Sequence, residues 1–226
     1  ILKKLKFEKI STPHLKYLTH AGGKLNKTLH QYILEVCKVK SLKFISMYGQ
    51  TEATSRMSYL PWKYSNLKIS SIGKAIPGGK LFIKNNKNKG EICYKGKNIM
   101  IGYAYEAKDL GKKEIISTLN TGDYGVRDED GFFFIEGRKD RYIKFFGHRI
   151  NLDEIDQFLR DDNLITATIF KDGKLIVHTE QKNNVEKIEK LIIDKLKITK
   201  KYIHVKRIKS IPFTNSGKIK YSKLND

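Results

Sequence analysis

Four short stretches of this 226-residue sequence set glycine beside a residue able to hold or answer a charge. In Tyr48-Gly49-Gln50-Thr51-Glu52, the tyrosine offers a flat face for a base and the glycine lets backbone come close. Thr51 brings a hydroxyl for a phosphate, and Glu52 a carboxylate that could hold Mg²⁺ beside it. The same five residues also suit an ordinary strand-to-turn with a solvated glutamate. Thr121-Gly122-Asp123 fixes a carboxylate that could accept both hydroxyls of a ribose diol, or it is a simple turn. Gly137-Arg138-Lys139-Asp140-Arg141 puts basic groups and a charged pivot where an interdomain linker would also fit. Pro212-Phe213-Thr214-Asn215-Ser216-Gly217-Lys218 stiffens a loop entry, relaxes it at glycine and leaves an ammonium able to meet an anion. A solvated surface turn is the competing reading of that loop.

These residues need elements to place them. Residues 1–20 are basic and partly apolar, with ordered structure expected from Pro13 onward, and Thr19-His20-Ala21-Gly22-Gly23 reads as a strand end entering a glycine turn. Leu29, Ile33 and Val36 recur at helical spacing and predict a helix over 26–38. A strand over 42–47 then runs straight into Tyr48. Residues 81–84 and 91–95 flank a polar loop as a hairpin, and 131–135 form another strand, closing a β-rich region near Gly137. Beyond Asp140 the pattern restarts. Residues 141–146 and 148–150 bracket Gly147, and Asn151 with Glu154 predicts a capped helix through Arg160. Asp172-Gly173 turns a hairpin of 165–170 and 174–179. Asn183 with Glu186 predicts a second capping box, on a helix that lines up Ile188, Leu191, Ile192 and Leu196; a strand over 202–208 follows. The fold class expected is α+β, with a division into 1–139 and a small unit of 140–226.

Composition narrows the classes. A hydrophobic fraction of 39% with 11% aromatics suits a packed core, and no apolar run reaches the roughly 18 residues of a membrane span. Cys37 and Cys93 are far apart and lack metal-ligand spacing, so two buried thiols in a cytoplasmic protein are expected. The net charge of +21 invites a nucleic-acid reading. The lysines, however, are scattered and alternate with apolar residues, which argues against nucleic acid and suits an acidic protein or a polyphosphate equally well. His20 and His148 read as loop hydrogen-bonders.

In their order along the chain, several stretches resemble the AMP-forming acyl- and amino-acid-activating superfamily: acyl-CoA synthetases, carrier-protein adenylation domains and luciferase relatives. They are Ala21-Gly22-Gly23, Tyr48 to Glu52, Gly90-Glu91-Ile92, Gly102-Tyr103, Thr121-Gly122-Asp123, Gly137 through Lys144, Gly147-His148-Arg149-Ile150 and Pro212 to Lys218. The resemblance implies the β-rich end of the large adenylate-forming domain followed by a small mobile α+β lid. It implies a ligase that uses ATP and Mg²⁺ to activate a small carboxylic acid as its adenylate, then passes the acyl group to CoA or a carrier-protein pantetheine. By the same resemblance, Tyr48 would stack on adenine beside Gly22, Gly23 and Gly49. Thr51 would touch the α-phosphate and Glu52 would coordinate Mg²⁺. Asp123, assisted by Arg138, would bind the ribose; Asp140 would be the hinge, and Gly147 would line the pantetheine channel. Lys218 would bridge the carboxylate and the α-phosphate. Residues 53–61 would border the acyl pocket.

The sequence departs from that pattern in two places. The family's Ser/Thr/Gly-rich loop ending in lysine, which wraps the outer phosphates, is not among these residues, and 1–20 leave no room for it. That implies a fragment, a split gene product, or a non-catalytic remnant that still binds a nucleotide or carrier protein. Lys220 stands where an arginine is often found, which keeps the charge but not the bidentate geometry.

Overall fold

A computed structural model describes residues 2, 5–23, 25, 27–111, 116–214 and 217–224. The predicted helix start at Asn26 and the Asn215-Ser216 part of the last loop lie outside the described residues. The chain divides into two compact units, Ile1–Glu136 and Gly137–Asp226.

In the first unit, β1 (Tyr17–His20) lies parallel to β2 (Lys43–Tyr48), with α1 (Lys27–Val39) as the crossover. α1 buries His30, Ile33, Val36 and Cys37, whereas Leu29, expected on that face, is exposed. The helix face is rotated because His30 takes an inward position: its Nδ1 accepts the Ser70 N–H at 3.0 Å and its ring meets Phe44 edge-on. β3 (Ser58–Leu60) and β4 (Lys74–Ala75) extend this sheet antiparallel. A second sheet orders β5 (Lys80–Ile83), β6 (Lys89–Lys95), β7 (Leu119–Arg127) and β8 (Phe133–Arg138) side by side. The hairpin expected around 85–90 is β5–β6. A core of Met57, Leu81, Ile83, Ile92, Tyr94 and Phe133 among others fills this unit.

β7 was not legible as a strand. Its inward side carries Leu119, Thr121, Asp123 and Gly125, so two of four buried positions are polar and the apolar alternation is lost. It is also bulged. Between the pairs Glu91↔Tyr124 and Cys93↔Asn120, β6 passes one residue while β7 passes three, Thr121-Gly122-Asp123. Gly122, at φ +69°, supplies the turn-like backbone that the sequence signalled, inside a strand and not between strands.

The second unit opens with the hairpin of β9 (Tyr142–Phe145) and β10 (His148–Asn151) around Phe146-Gly147. α2 (Leu152–Asp161) is capped by Asn151, whose side chain accepts the Asp153 N–H. β11 (Thr166–Lys171) and β12 (Lys174–Thr179) form the Asp172-Gly173 hairpin, and β13 (Ile203–Arg207) joins β12 in parallel after α3 (Val185–Leu196). The second capping box does not form. A single helical turn over Lys182–Asn184 precedes α3, so Asn184 becomes the N-cap and its side chain makes no capping bond. Ile188 and Ile192 are fully buried on α3, each contributing about 1.5–3 kcal/mol of burial. His20 and His148 sit in β1 and β10, not in loops.

Candidate active site

In the first unit the two parallel strands β1 and β2 end on the same side, and there the chain places Ala21-Gly22-Gly23 and Tyr48 to Glu52. The carboxyl ends of parallel strands are where open α/β sheets leave a crevice, because the following loops splay apart. The turn after β2 is tight. Ser55 and Ala53 N–H both donate to the Gln50 carbonyl, and Met57 N–H donates to that of Tyr48. A Cβ on Gly49 would lie 2.3 Å from the Ser55 carbonyl carbon, so no other residue fits without moving backbone.

Tyr48 and Asp123 meet directly. The Tyr48 hydroxyl donates to Asp123 Oδ2 at 2.5 Å, and Gln50 Nε2 donates to the same oxygen at 3.0 Å and to the Thr121 carbonyl at 2.8 Å. The β7 bulge aims this carboxylate. The Thr121 hydroxyl donates to the Ile92 carbonyl at 2.7 Å and accepts the Asp123 N–H at 3.0 Å. Asp123 is 7% exposed, while the Tyr48 ring is half-buried against the core. The outcome is a buried carboxylate held by two side-chain donors, beside an aromatic ring with a partly open face. Sequence reasoning missed Gln50. The signal for it was its place between two residues already singled out, with an amide long enough to reach a neighbouring strand.

Thr51 is exposed and Glu52 half-buried on the following turn. The Tyr103 hydroxyl donates to Glu52 Oε1 at 2.8 Å, which raises the phenol above its ordinary pKa. The Met100 N–H donates to the Glu52 carbonyl. Among the described residues no group of three His, Cys, Asp or Glu side chains could by itself hold a metal ion. A single carboxylate oriented by a phenol does fit a Mg²⁺ whose other ligands are waters and phosphate oxygens. Arg56, within the 53–61 segment, is exposed and donates to the carbonyl of Ser55.

The second unit holds the remaining candidates. Arg138 and Asp140 lie 3.8 Å apart as an exposed pair, with side chains 50% and 75% accessible, a contact worth at most about 1 kcal/mol. Gly147 turns the β9–β10 hairpin at φ +77°. Lys218 stands at the end of a small hairpin. Phe213 and Ile219 face each other as an antiparallel bridge, Thr214 N–H donates to the Lys218 carbonyl and Lys218 N–H to the Thr214 hydroxyl. The backbone is thus fixed while the Lys218 side chain is exposed. Among the described residues no helix is long and apolar enough to cross a membrane.

Comparison with known proteins supplies the wider frame. The model of a family described as AMP-binding enzyme matches residues 1–104. The 2-succinylbenzoate–CoA ligase of Listeria monocytogenes is 29% identical over 226 residues, covering 95% of this chain and 46% of the relative. Its counterpart from Listeria innocua is 33% identical over 147 residues, or 65% of this chain and 30% of the relative. Among solved structures, the Bacillus subtilis O-succinylbenzoate coenzyme A synthetase in complex with AMP covers the whole chain with a TM-score of 0.72 and 21% identity, over 49% of its own length. Fatty acyl-adenylate ligases from E. coli and L. pneumophila give 0.73 at 17% identity over 92% of this chain and 46% of theirs. The fold is therefore the α+β fold of the adenylate-forming enzymes. The family match and the curated relatives make the chain similar to that superfamily, and it spans half or less of the length of these relatives.

Proposed function

We propose that this chain carries the nucleoside-gripping edge and the lysine-bearing lid of an ATP-dependent, AMP-forming acid–thiol ligase. Residues 1–139 would be the C-terminal part of the large AMP-binding domain and 140–226 the mobile lid. The observation that carries the reading is the Tyr48–Asp123–Gln50 cluster at the carboxyl ends of β1 and β2, with its aromatic face beside a buried, oriented carboxylate. A ring and a diol acceptor side by side are what a nucleoside requires.

In this reading Tyr48 takes adenine on its open face, lined by Gly22, Gly23 and Gly49. Asp123, oriented by its two donors, accepts the ribose hydroxyls, with Arg138 assisting. Thr51 donates to the α-phosphate. A Mg²⁺ held by Glu52 would neutralise phosphate charge there. Attack of a carboxylate on the α-phosphate brings two anions together and gathers more charge in the transition state. The Lys218 ammonium offsets that repulsion without giving up a proton, so positioning and electrostatics do the work. Thioester formation then needs a thiol where Lys218 had been. Rotation of the lid at Asp140 exchanges Lys218 for the Gly147 hairpin, which would line the pantetheine path.

The acid is a small carboxylic acid, and the names of the curated relatives make 2-succinylbenzoate the first candidate. The acceptor is CoA or a carrier-protein pantetheine, and the surroundings are cytoplasmic. The test is ATP–pyrophosphate exchange by a chimera in which this chain replaces the matching part of the Listeria monocytogenes ligase. Acid-dependent exchange that Asp123→Ala and Lys218→Ala abolish is expected. AMP binding without exchange would instead assign the chain to nucleotide binding alone.

A further inference from the structure

We infer that the Arg141 guanidinium and the Tyr221 ring form a clamp that fixes the Lys218 hairpin to the chain just after Asp140, making Arg141 and Tyr221 positioning residues for Lys218. All the contacts lie within the second unit. Arg141 is buried, and each of its three guanidinium nitrogens donates a hydrogen bond. Nε donates to Asp153 at 2.7 Å, Nη2 to Asp156 at 3.1 Å, and Nη1 to the Thr168 carbonyl at 2.8 Å. The Tyr221 ring covers one face, with its centroid 3.6 Å from Cζ, and the Tyr221 hydroxyl lies 3.3 Å from Asp156 Oδ2.

The plate beneath the ring is rigid. Asp156 is buried and also accepts from the Thr166 and Thr168 hydroxyls and the Thr168 N–H. Arg141 is thereby tied to α2 and β11 together. Burial pushes the Asp156 carboxyl up, while the Thr168 hydroxyl and then the Arg141 charge pull it back down.

Tyr221 lies three residues past Lys218. On the other side of the hairpin, the Ile211 N–H donates to Glu180 Oε1 at 2.7 Å, and Ile211 packs with Ala167, Ile169 and Leu224. The arm that leads into Lys218 is therefore held by Ile211, and the arm that leads out of it by Tyr221 on Arg141. Asp140 immediately precedes Arg141. A rotation at residue 140 thus carries Lys218 with it as one body, without a lag in the loop.

The inference takes from the proposed function only that Lys218 has a position to keep, and its test needs no nucleotide. Amide hydrogen exchange would be followed by NMR in the 226-residue chain, comparing Tyr221→Leu and Tyr221→Phe with the parent. Loss of one desolvated cation–π contact and one hydrogen bond to a charged group predicts about 10- to 30-fold faster exchange at Thr214, Lys218 and Lys220 in Tyr221→Leu. The amides of β11 and β12 should stay at parent rates. Tyr221→Phe keeps the ring and loses only the hydrogen bond, so its exchange at these amides should fall between the parent and Tyr221→Leu. Parent rates in Tyr221→Leu, or uniform acceleration through β11 and β12 as well, overturn the clamp. Failed pyrophosphate exchange by the chimera would leave it standing.

Discussion

Tyr48→Phe isolates one hydrogen bond of the Tyr48–Asp123–Gln50 cluster without opening a cavity, since the ring stays packed against the core. The bond lost is a 2.5 Å phenol-to-carboxylate contact at a residue 7% exposed, so water cannot readily replace the donor. A hydrogen bond to a buried charged group is worth about 1.5–3 kcal/mol, and about 2 kcal/mol is expected here. Trp62 is the chain's single tryptophan and lies in the first unit, so urea unfolding followed by its fluorescence reports the right transition. With a slope of about 2 kcal/mol per molar urea, the midpoint should fall by about 1 M. Gln50→Leu removes donation to both Asp123 and the Thr121 carbonyl and should cost about as much. Because both donors converge on Oδ2, the double variant should depart from additivity by more than about 0.5 kcal/mol. A Tyr48→Phe midpoint within about 0.2 M of the parent, or strict additivity of the pair, would refute the view that Asp123 is held by these two groups.

Three further outcomes follow from the structure. Lys218→Ala should leave the thermal midpoint unchanged, because the side chain is exposed, while lowering exchange by the chimera about 10²- to 10³-fold, the loss typical of a single transition-state charge donor. Burial pushes the Cys37 thiol up to about 11, so at pH 8 it should resist a thiol reagent in the native chain and react once unfolded; prompt native labelling of Cys37 would contradict this. Burial also holds His20 and His30 below their ordinary value of 6.5. The unfolded first unit therefore binds more protons as pH falls through 6.5, and the Trp62-reported urea midpoint should be lower at pH 5.5 than at 7.5; a midpoint that rises on acidification would contradict the assignment.

The parts of the fold set by local chemistry were readable from the sequence. The Asp172-Gly173 hairpin, the Asn151 cap and the α3 face all depend on neighbours within a few residues. The parts set by partners far along the chain were not. Leu29 loses the inward face of α1 because His30 has the Ser70 amide to meet, forty residues on. β7 conceals itself because its buried side is furnished with Thr121 and Asp123, whose partners Ile92, Tyr48 and Gln50 belong to other strands and turns. The same holds for the site. Tyr48, Thr51, Glu52 and Asp123 were legible as residue types beside glycine, whereas Gln50 and Tyr103 show their part only once strands are paired.

The structural part played by the Tyr48–Asp123 pair bears on how such a chain ages. A gene copy relieved of its reaction would still be bound to these two residues by folding, since either loss costs the first unit part of its margin. Lys218 carries no such obligation: its backbone is secured by Thr214, and its side chain stabilises nothing in the described structure. In a lineage drifting out of use that lysine would be among the first to go.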